Sequence, residues 1–326
     1  MLPLSVISFS GCSYAAYDYK TVEGAAWHTS YRVVYQGDDS LADSIISVFP
    51  IVENSLSPFV PNSLISLINA NSDSVADAMI ATVFKESRKV CGISGGAFDP
   101  TVSPLINLWG FGFGNHGKEE PSQAAIDSAL AFVGILKASI DEDNVIRKPD
   151  PRMHFNFSAI TKGYGCDLVA EMLDRNGVVN YMIEIGGEIV TAGSNRYGKP
   201  WRIQIDLPDE DNPSAHSRLR VVSLQDCAIA TSGNYRNYRD IKGVGRVGHT
   251  ISPHTGRPVC TSVLSVSVMA PTCLLADALA TAAMSMQPDS AMRMLNGMAD
   301  VEAMFVIADT VGDGLKILYT DSFPTE

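Results

Sequence analysis

Asp277 and Thr281 stand four residues apart in the run Thr272-Cys273-Leu274-Leu275-Ala276-Asp277-Ala278-Leu279-Ala280-Thr281-Ala282-Ala283. On an α-helix that spacing stacks the two side chains one turn apart on a single face, while the Leu and Ala residues around them pack inward. A carboxylate and a hydroxyl aimed at one place suit a hard cation such as Mg2+, which keeps several waters and takes further ligands from a substrate phosphate. In the plainer alternative Asp277 pairs with a backbone group and Thr281 fills a helix groove.

A second segment, Asn156-Phe157-Ser158-Ala159-Ile160-Thr161-Lys162-Gly163-Tyr164-Gly165-Cys166-Asp167, leads into helical apolar spacing at Leu168, Val169, Met172 and Leu173, with Gly177 as the stop. The helix therefore begins near Ser158 to Lys162. Free backbone N–H groups, the positive end of the helix dipole and Lys162 together make a place for an anion such as a pyrophosphate. An ordinary capped helix start with a solvated lysine is the other reading. Residues Tyr181 to Gly193 read as one strand interrupted by Gly186-Gly187, where a bulge forms or a ligand comes close to the backbone. Those glycines are not the dinucleotide-binding fingerprint, because a strand and not a helix follows them.

These residues need a scaffold, and the periodicities around them supply one. Leu41 to Glu53, Ser72 to Ser94 and Pro121 to Phe132 read as helices; Thr29 to Tyr35, Leu219 to Ile229, Val263 to Ala270 and Val301 to Tyr319 carry strand-like runs. Without a repeated βαβ period this implies an α+β fold, largely antiparallel sheets with interspersed helices. Residues 112–122 and the stretch from Asp206 to Ser214 read as polar loops and not as domain linkers. The 326 residues can bury a sizeable core, as one domain or two intimately packed ones. Lys and Arg number 24 against 36 Asp and Glu, a net charge of −12 that argues against a nucleic-acid partner.

Taken with further motifs, the three segments resemble the ApbE family of flavin transferases. Ser57-Pro58-Phe59-Val60-Pro61-Asn62-Ser63 with Ile65, Ser66 and Asn69 is similar to an early family motif. Gly96-Ala97-Phe98-Asp99-Pro100-Thr101-Val102 before Leu108-Trp109-Gly110 resembles its FDPT segment. Ala230-Thr231-Ser232-Gly233-Asn234-Tyr235 and Gly248-His249-Thr250-Ile251-Ser252-Pro253 resemble the C-terminal signatures. The matches run in the family's order over residues 26–285.

The resemblance implies a T-fold-like architecture and an Mg2+-dependent activity: FAD is split and its FMN half joined to a Thr or Ser hydroxyl of an acceptor protein, with release of AMP. A FAD-binding protein or FAD pyrophosphatase giving FMN and AMP is the alternative it leaves. By the same resemblance Asp277, Thr281 and the Ala159 carbonyl are metal ligands, and Trp27, Phe59, Ala97, Phe98, Asp99, Asn156, Lys162 and Ile251 are flavin-nucleotide contacts. Lys162 and His249 carry the catalysis, His249 as the acid, base or acceptor-orienting group poised near neutral pH; a histidine held in a strand by backbone bonds is the structural alternative. Two departures stand out. Trp27-His28-Thr29 replaces the usual Met-Gly-Thr, and Ser252 replaces an Asp common in relatives.

At the N-terminus an apolar run ends in Ser10-Gly11-Cys12, which resembles the end of a bacterial lipoprotein signal without its basic region. Residues 1–20 then form a signal remnant and tether and residues 21–326 the transferase domain, lipid-anchored at Cys12 on the periplasmic face of a membrane, beside an extracytoplasmic redox subunit as acceptor. A disordered start with an incidental cysteine is the alternative. The other five cysteines are scattered without metal spacing and read as thiols, mostly buried, and not as a disulfide framework.

Overall fold

The computed structural model describes residues 18–37, 39–112, 119–208, 217–233, 238–242, 245–309 and 314–324. Cys12 and its apolar run, the stretch from Asp209 to Ser214, most of the 112–122 loop, and Asn234-Tyr235 lie outside the described residues.

The helices are α1 (Ala42–Leu56), α2 (Leu64–Asn69), α3 (Ala78–Ile93), α4 (Ser103–Leu108), α5 (Gln123–Leu130), α6 (Ser158–Arg175), α7 (Cys273–Met284) and α8 (Pro288–Asn296). The strands are β1 (Tyr19–Ala26), β2 (Thr29–Gln36), β3 (Ser139–Ile140), β4 (Ile146–Arg147), β5 (Tyr181–Ile185), β6 (Glu188–Ala192), β7 (Trp201–Asp206), β8 (Arg218–Leu224), β9 (Cys227–Gly233), β10 (Tyr238–Ile241), β11 (Gly245–Gly248), β12 (Val263–Ala270), β13 (Glu302–Ala308) and β14 (Leu315–Tyr319). Eight of them form one sheet in the order β1-β2-β5-β6-β9-β12-β13-β14, and every neighbouring pair is antiparallel. The fold is α+β.

Strand alternation sends side chains to both faces of that sheet, and both are covered. Ala303, Phe305 and Ile307 of β13 join the core formed with the helices, whereas Met304 and Val306 join Trp201, Ile203, Ile205, Val222 and Leu224 of the β7–β8 hairpin. A smaller core of Leu105, Trp109, Ile126, Val133, Ile241, Val247 and Ile251 sits to one side. The buried Trp109 indole N–H donates to the Gly256 carbonyl at 2.7 Å, which fastens the segment after β11 to α4.

Two runs foreseen as continuous strands are each divided in two. Gly186 and Gly187, at φ +64° and +102°, close a two-residue turn between β5 and β6, the left-handed pair that matches the twist of the flanking strands. Residues 219–229 likewise divide, between β8 and β9, with Asp226 at φ +53° near the break. The helix foreseen from Ser72 starts only at Ala78, because the Asp77 carboxylate caps it by accepting from the Ile80 N–H at 2.8 Å. Cys91, Cys166 and Cys273 are buried thiols, Cys227 is half-buried and Cys260 is exposed, all five free. No described helix is long and apolar enough to cross a membrane.

The contact that positions the site is the crossing of α6 over α7. A Cβ on Gly163 would lie 2.4 Å from the Cys273 carbonyl oxygen and 2.9 Å from the Asp277 Cβ, so only glycine permits this approach. Asp167 completes it by capping α7, its carboxylate accepting from the Cys273 and Leu274 N–H groups at 2.9 and 2.8 Å. Gly163→Ala should therefore destabilise the protein by about 1–3 kcal/mol, the usual range for overpacking. Denaturant unfolding checks this; a variant as stable as the parent would mean that the helices separate without cost.

Candidate active site

A cavity of about 440 Å³ opens where the N-terminus of α6, the middle of α7, the 97–103 segment and the 249–253 segment meet. Phe59, Ala97, Phe98, Asp99, Asn156, Ala159, Lys162, His249, Ile251, Asp277 and Thr281 all line it. Trp27 does not. Its ring packs edge-on to Phe49 at 5.3 Å, its indole N–H donates to the Phe49 carbonyl, and a Cβ on Gly165 would lie 2.5 Å from it. The resemblance implied a flavin contact here; the positive φ of 51° and the glycine opposite turn the indole into the helix layer.

Asn156 prepares the start of α6. Its Oδ1 accepts from the Ser158 N–H at 2.9 Å, and its own N–H donates to the Pro100 carbonyl at 2.8 Å, tying the helix start to the 97–103 segment. Asp99, although it lines the cavity, has its carboxylate engaged by the backbone: Oδ1 accepts from the Thr101 N–H at 2.8 Å and hydroxyl at 2.5 Å, and Oδ2 from the Ile135 N–H, 36 residues on, at 2.9 Å. Burial pushes its pKa up despite these bonds. Its contribution is to shape the wall.

On the facing helix Asp277 is 3% exposed and accepts from the Gly163 N–H at 3.1 Å. Burial pushes its carboxyl up to about 7, against the pull of Lys162. One turn on, the Thr281 hydroxyl lies 3.5 Å from the Ala159 carbonyl oxygen and 3.3 Å from the Ser232 hydroxyl. Carboxylate, hydroxyl and carbonyl make an all-oxygen donor set beside a helix N-terminus, which fits a hard divalent cation shared with a phosphate and no soft metal. Among the described residues no group of three His, Cys, Asp or Glu gathers to offer a different centre.

Lys162 makes an ion pair with Glu188, a residue the motifs did not single out. The Lys162 side chain keeps 32% of its surface open, whereas Glu188 is only 2% exposed. Burial by itself would lower the Lys162 pKa; the Glu188 carboxylate, then Asp277, more than offset this and hold it raised. For Glu188 burial is the larger effect and raises its pKa, opposed by Lys162. Spacing gives no signal for Glu188; the structure shows that the Gly-Gly turn directly before it points it back toward α6.

His249 is half-buried, with its ring edge-on to Phe111 at 6.4 Å. Beyond it, Ser252 does with a hydroxyl what an aspartate does in such a turn, accepting from the His254 and Thr255 N–H groups at 3.3 and 3.4 Å. The missing carboxylate is thus replaced as a turn cap, though not as a charge.

The sequence model of the ApbE family matches residues 27–305. The FAD:protein FMN transferase of Vibrio cholerae serotype O1 is 36% identical, with 98% of this chain and 96% of that protein covered. The chain belongs to the ApbE family. The FAD:protein FMN transferase of Escherichia coli K12 is 30% identical over 98% of this chain and 94% of its own. Among solved structures, the flavin transferase ApbE of Vibrio cholerae superposes with a TM-score of 0.83 at 32% identity, covering 94% of this chain and 98% of that one. The apo form of the Pseudomonas stutzeri flavinyl transferase ApbE gives 0.83 at 29% identity, over 94% and 96%.

An ion pair whose carboxylate is buried is costly to break from the lysine side. Lys162→Ala leaves the Glu188 carboxylate buried without its counter-charge and should destabilise this ApbE chain by about 3 kcal/mol, whereas Lys162→Met with Glu188→Leu should recover most of that loss. Unfolding of the single and double variants measures the difference; equal losses in both would mean that the two charges are not coupled.

Proposed function

We propose that this chain is a transferase that takes FMN from FAD and attaches it to a Thr or Ser hydroxyl of an acceptor protein, with Mg2+ as cofactor and AMP as the product released. The observation that carries the proposal is the meeting, on one wall of one cavity, of the α6 N-terminus, the Lys162 ammonium and the oxygens of Asp277, Thr281 and Ala159, with His249 lining the same cavity. Names borne by close relatives support it.

Each part has a physical task. The Ser158 end of α6 and Lys162 hold the pyrophosphate, since the positive end of the helix dipole and a fixed positive charge favour an anion there. Asp277, Thr281 and the Ala159 carbonyl would hold a divalent cation, which supplies charge neutralisation as the phosphoanhydride breaks. Phe59 and Phe98 give the flavin ring an apolar wall. His249 takes the acceptor hydroxyl's proton; that oxygen bonds to the FMN phosphorus, and the bond from this phosphorus to the AMP oxygen breaks. Both nucleotide halves are accounted for. The acceptor we propose is an extracytoplasmic redox subunit, met by an enzyme lipid-anchored through Cys12 on the periplasmic side.

Asp277→Ala should abolish AMP release and FMN transfer together while the fold persists, because no other carboxylate stands within one turn of it on α7. Chromatography of FAD incubated with Mg2+ and acceptor checks this, and full activity at low Mg2+ would contradict the assignment. His249→Ala should slow transfer roughly 10²- to 10⁴-fold while FAD still binds. Loss of FAD affinity and thermal stability in step with activity would instead assign His249 to the structure of the strand end.

A further inference from the structure

A second cavity, about 1410 Å³, adjoins the first. Every residue of β7 from Trp201 to Asp206 lines it. Successive residues of a strand face opposite sides, so a cavity resting on a strand's face meets only every second one; a cavity that meets all six runs along the strand's edge. Among the described residues β7 pairs only with β8, which leaves its other edge to this groove. The two cavities share Lys162, Glu188, Thr231 and Gly233, so the groove leads to the charged end of the candidate site.

We infer that this groove receives the acceptor polypeptide as an extended segment, paired along the open edge of β7, with its hydroxyl entering the catalytic cavity past Lys162 and Glu188. The inference rests on the transferase reading and adds where the protein substrate lies. An open strand edge presents alternating N–H and C=O groups, which a peptide backbone matches and a small nucleotide does not. Tyr197, 80% exposed, stands at the groove as an aromatic contact of the kind that anchors protein partners. At the junction the buried Glu188 Oε2 has no hydrogen-bond partner among the described residues. A buried carboxylate oxygen left in this state is costly, which marks the junction as a place where a further donor would be stabilising.

The test is hydrogen exchange on the whole chain with FAD and Mg2+, before and after adding a synthetic peptide that spans the threonine of a redox subunit known to carry threonine-bound FMN. Transfer to the same peptide is followed by mass. Amides of residues 201–206 should exchange several-fold more slowly with the peptide and not with FAD alone. N-methylation of alternate peptide amides should raise KM about tenfold in one phase and little in the other, as expected for losing single backbone hydrogen bonds. Transfer that proceeds with β7 exchange unchanged and no alternation would overturn the groove while leaving the transferase reading intact. Protection of β7 without transfer would sustain the groove and count against the transfer. Neither signal, with this peptide and with the intact subunit, would overturn both.

Discussion

The close approach of α6 and α7 at Gly163 is the constraint on which the site depends. It brings the N-terminus of one helix against the side of the other, and the Gly163 N–H donates directly to Asp277. A carboxylate that would otherwise be buried among alanines thereby gains a partner and a fixed direction. Thr281 follows one turn later and meets the Ala159 carbonyl across the same contact. Asp167 holds the arrangement from below by capping α7 from within α6, so the two helices form one rigid unit on the sheet.

Charge balance is the second organising fact. The chain as a whole is acidic, yet the nucleotide it would bind is an anion. Lys162 and a helix terminus supply a local positive field, and Glu188 keeps the lysine in place. The Glu188 turn belongs to the sheet, Lys162 to the helix layer, and the pair locks one layer to the other. A compensated ion pair of this kind contributes less to stability than to position.

How much of this was legible in sequence follows the range of each interaction. Asp277 with Thr281, and Ser158 to Lys162 at a helix start, are local patterns whose periodicity reveals which side chains share a face. Glu188 and Asp167 act on partners in other elements, so spacing said nothing about them. Gly186-Gly187 was misread as an interruption because φ above zero at both positions turns a strand into a hairpin, and composition alone does not separate the two. Trp27, which the resemblance placed among the flavin contacts, packs against Phe49 over the bare Gly165, a partner far along the chain that local spacing does not reveal. Family resemblance pointed to Ala97, Phe98, Asn156 and His249, which line the cavity, and the structure shows what the motif could not: the Asp99 carboxylate is held by Thr101 and by the distant Ile135 N–H.

The central question is whether the α6–α7 contact holds a cation against a nucleotide phosphate. Crystals grown with FAD and Mn2+ in place of Mg2+, measured at a wavelength where manganese scatters anomalously, answer that directly. The account predicts one strong peak within bonding distance of Asp277, Thr281 and the Ala159 carbonyl oxygen, with a flavin-nucleotide phosphate completing its shell beside Lys162. Manganese bound elsewhere, or FAD ordered in the cavity with those three oxygens ligating nothing, would contradict it.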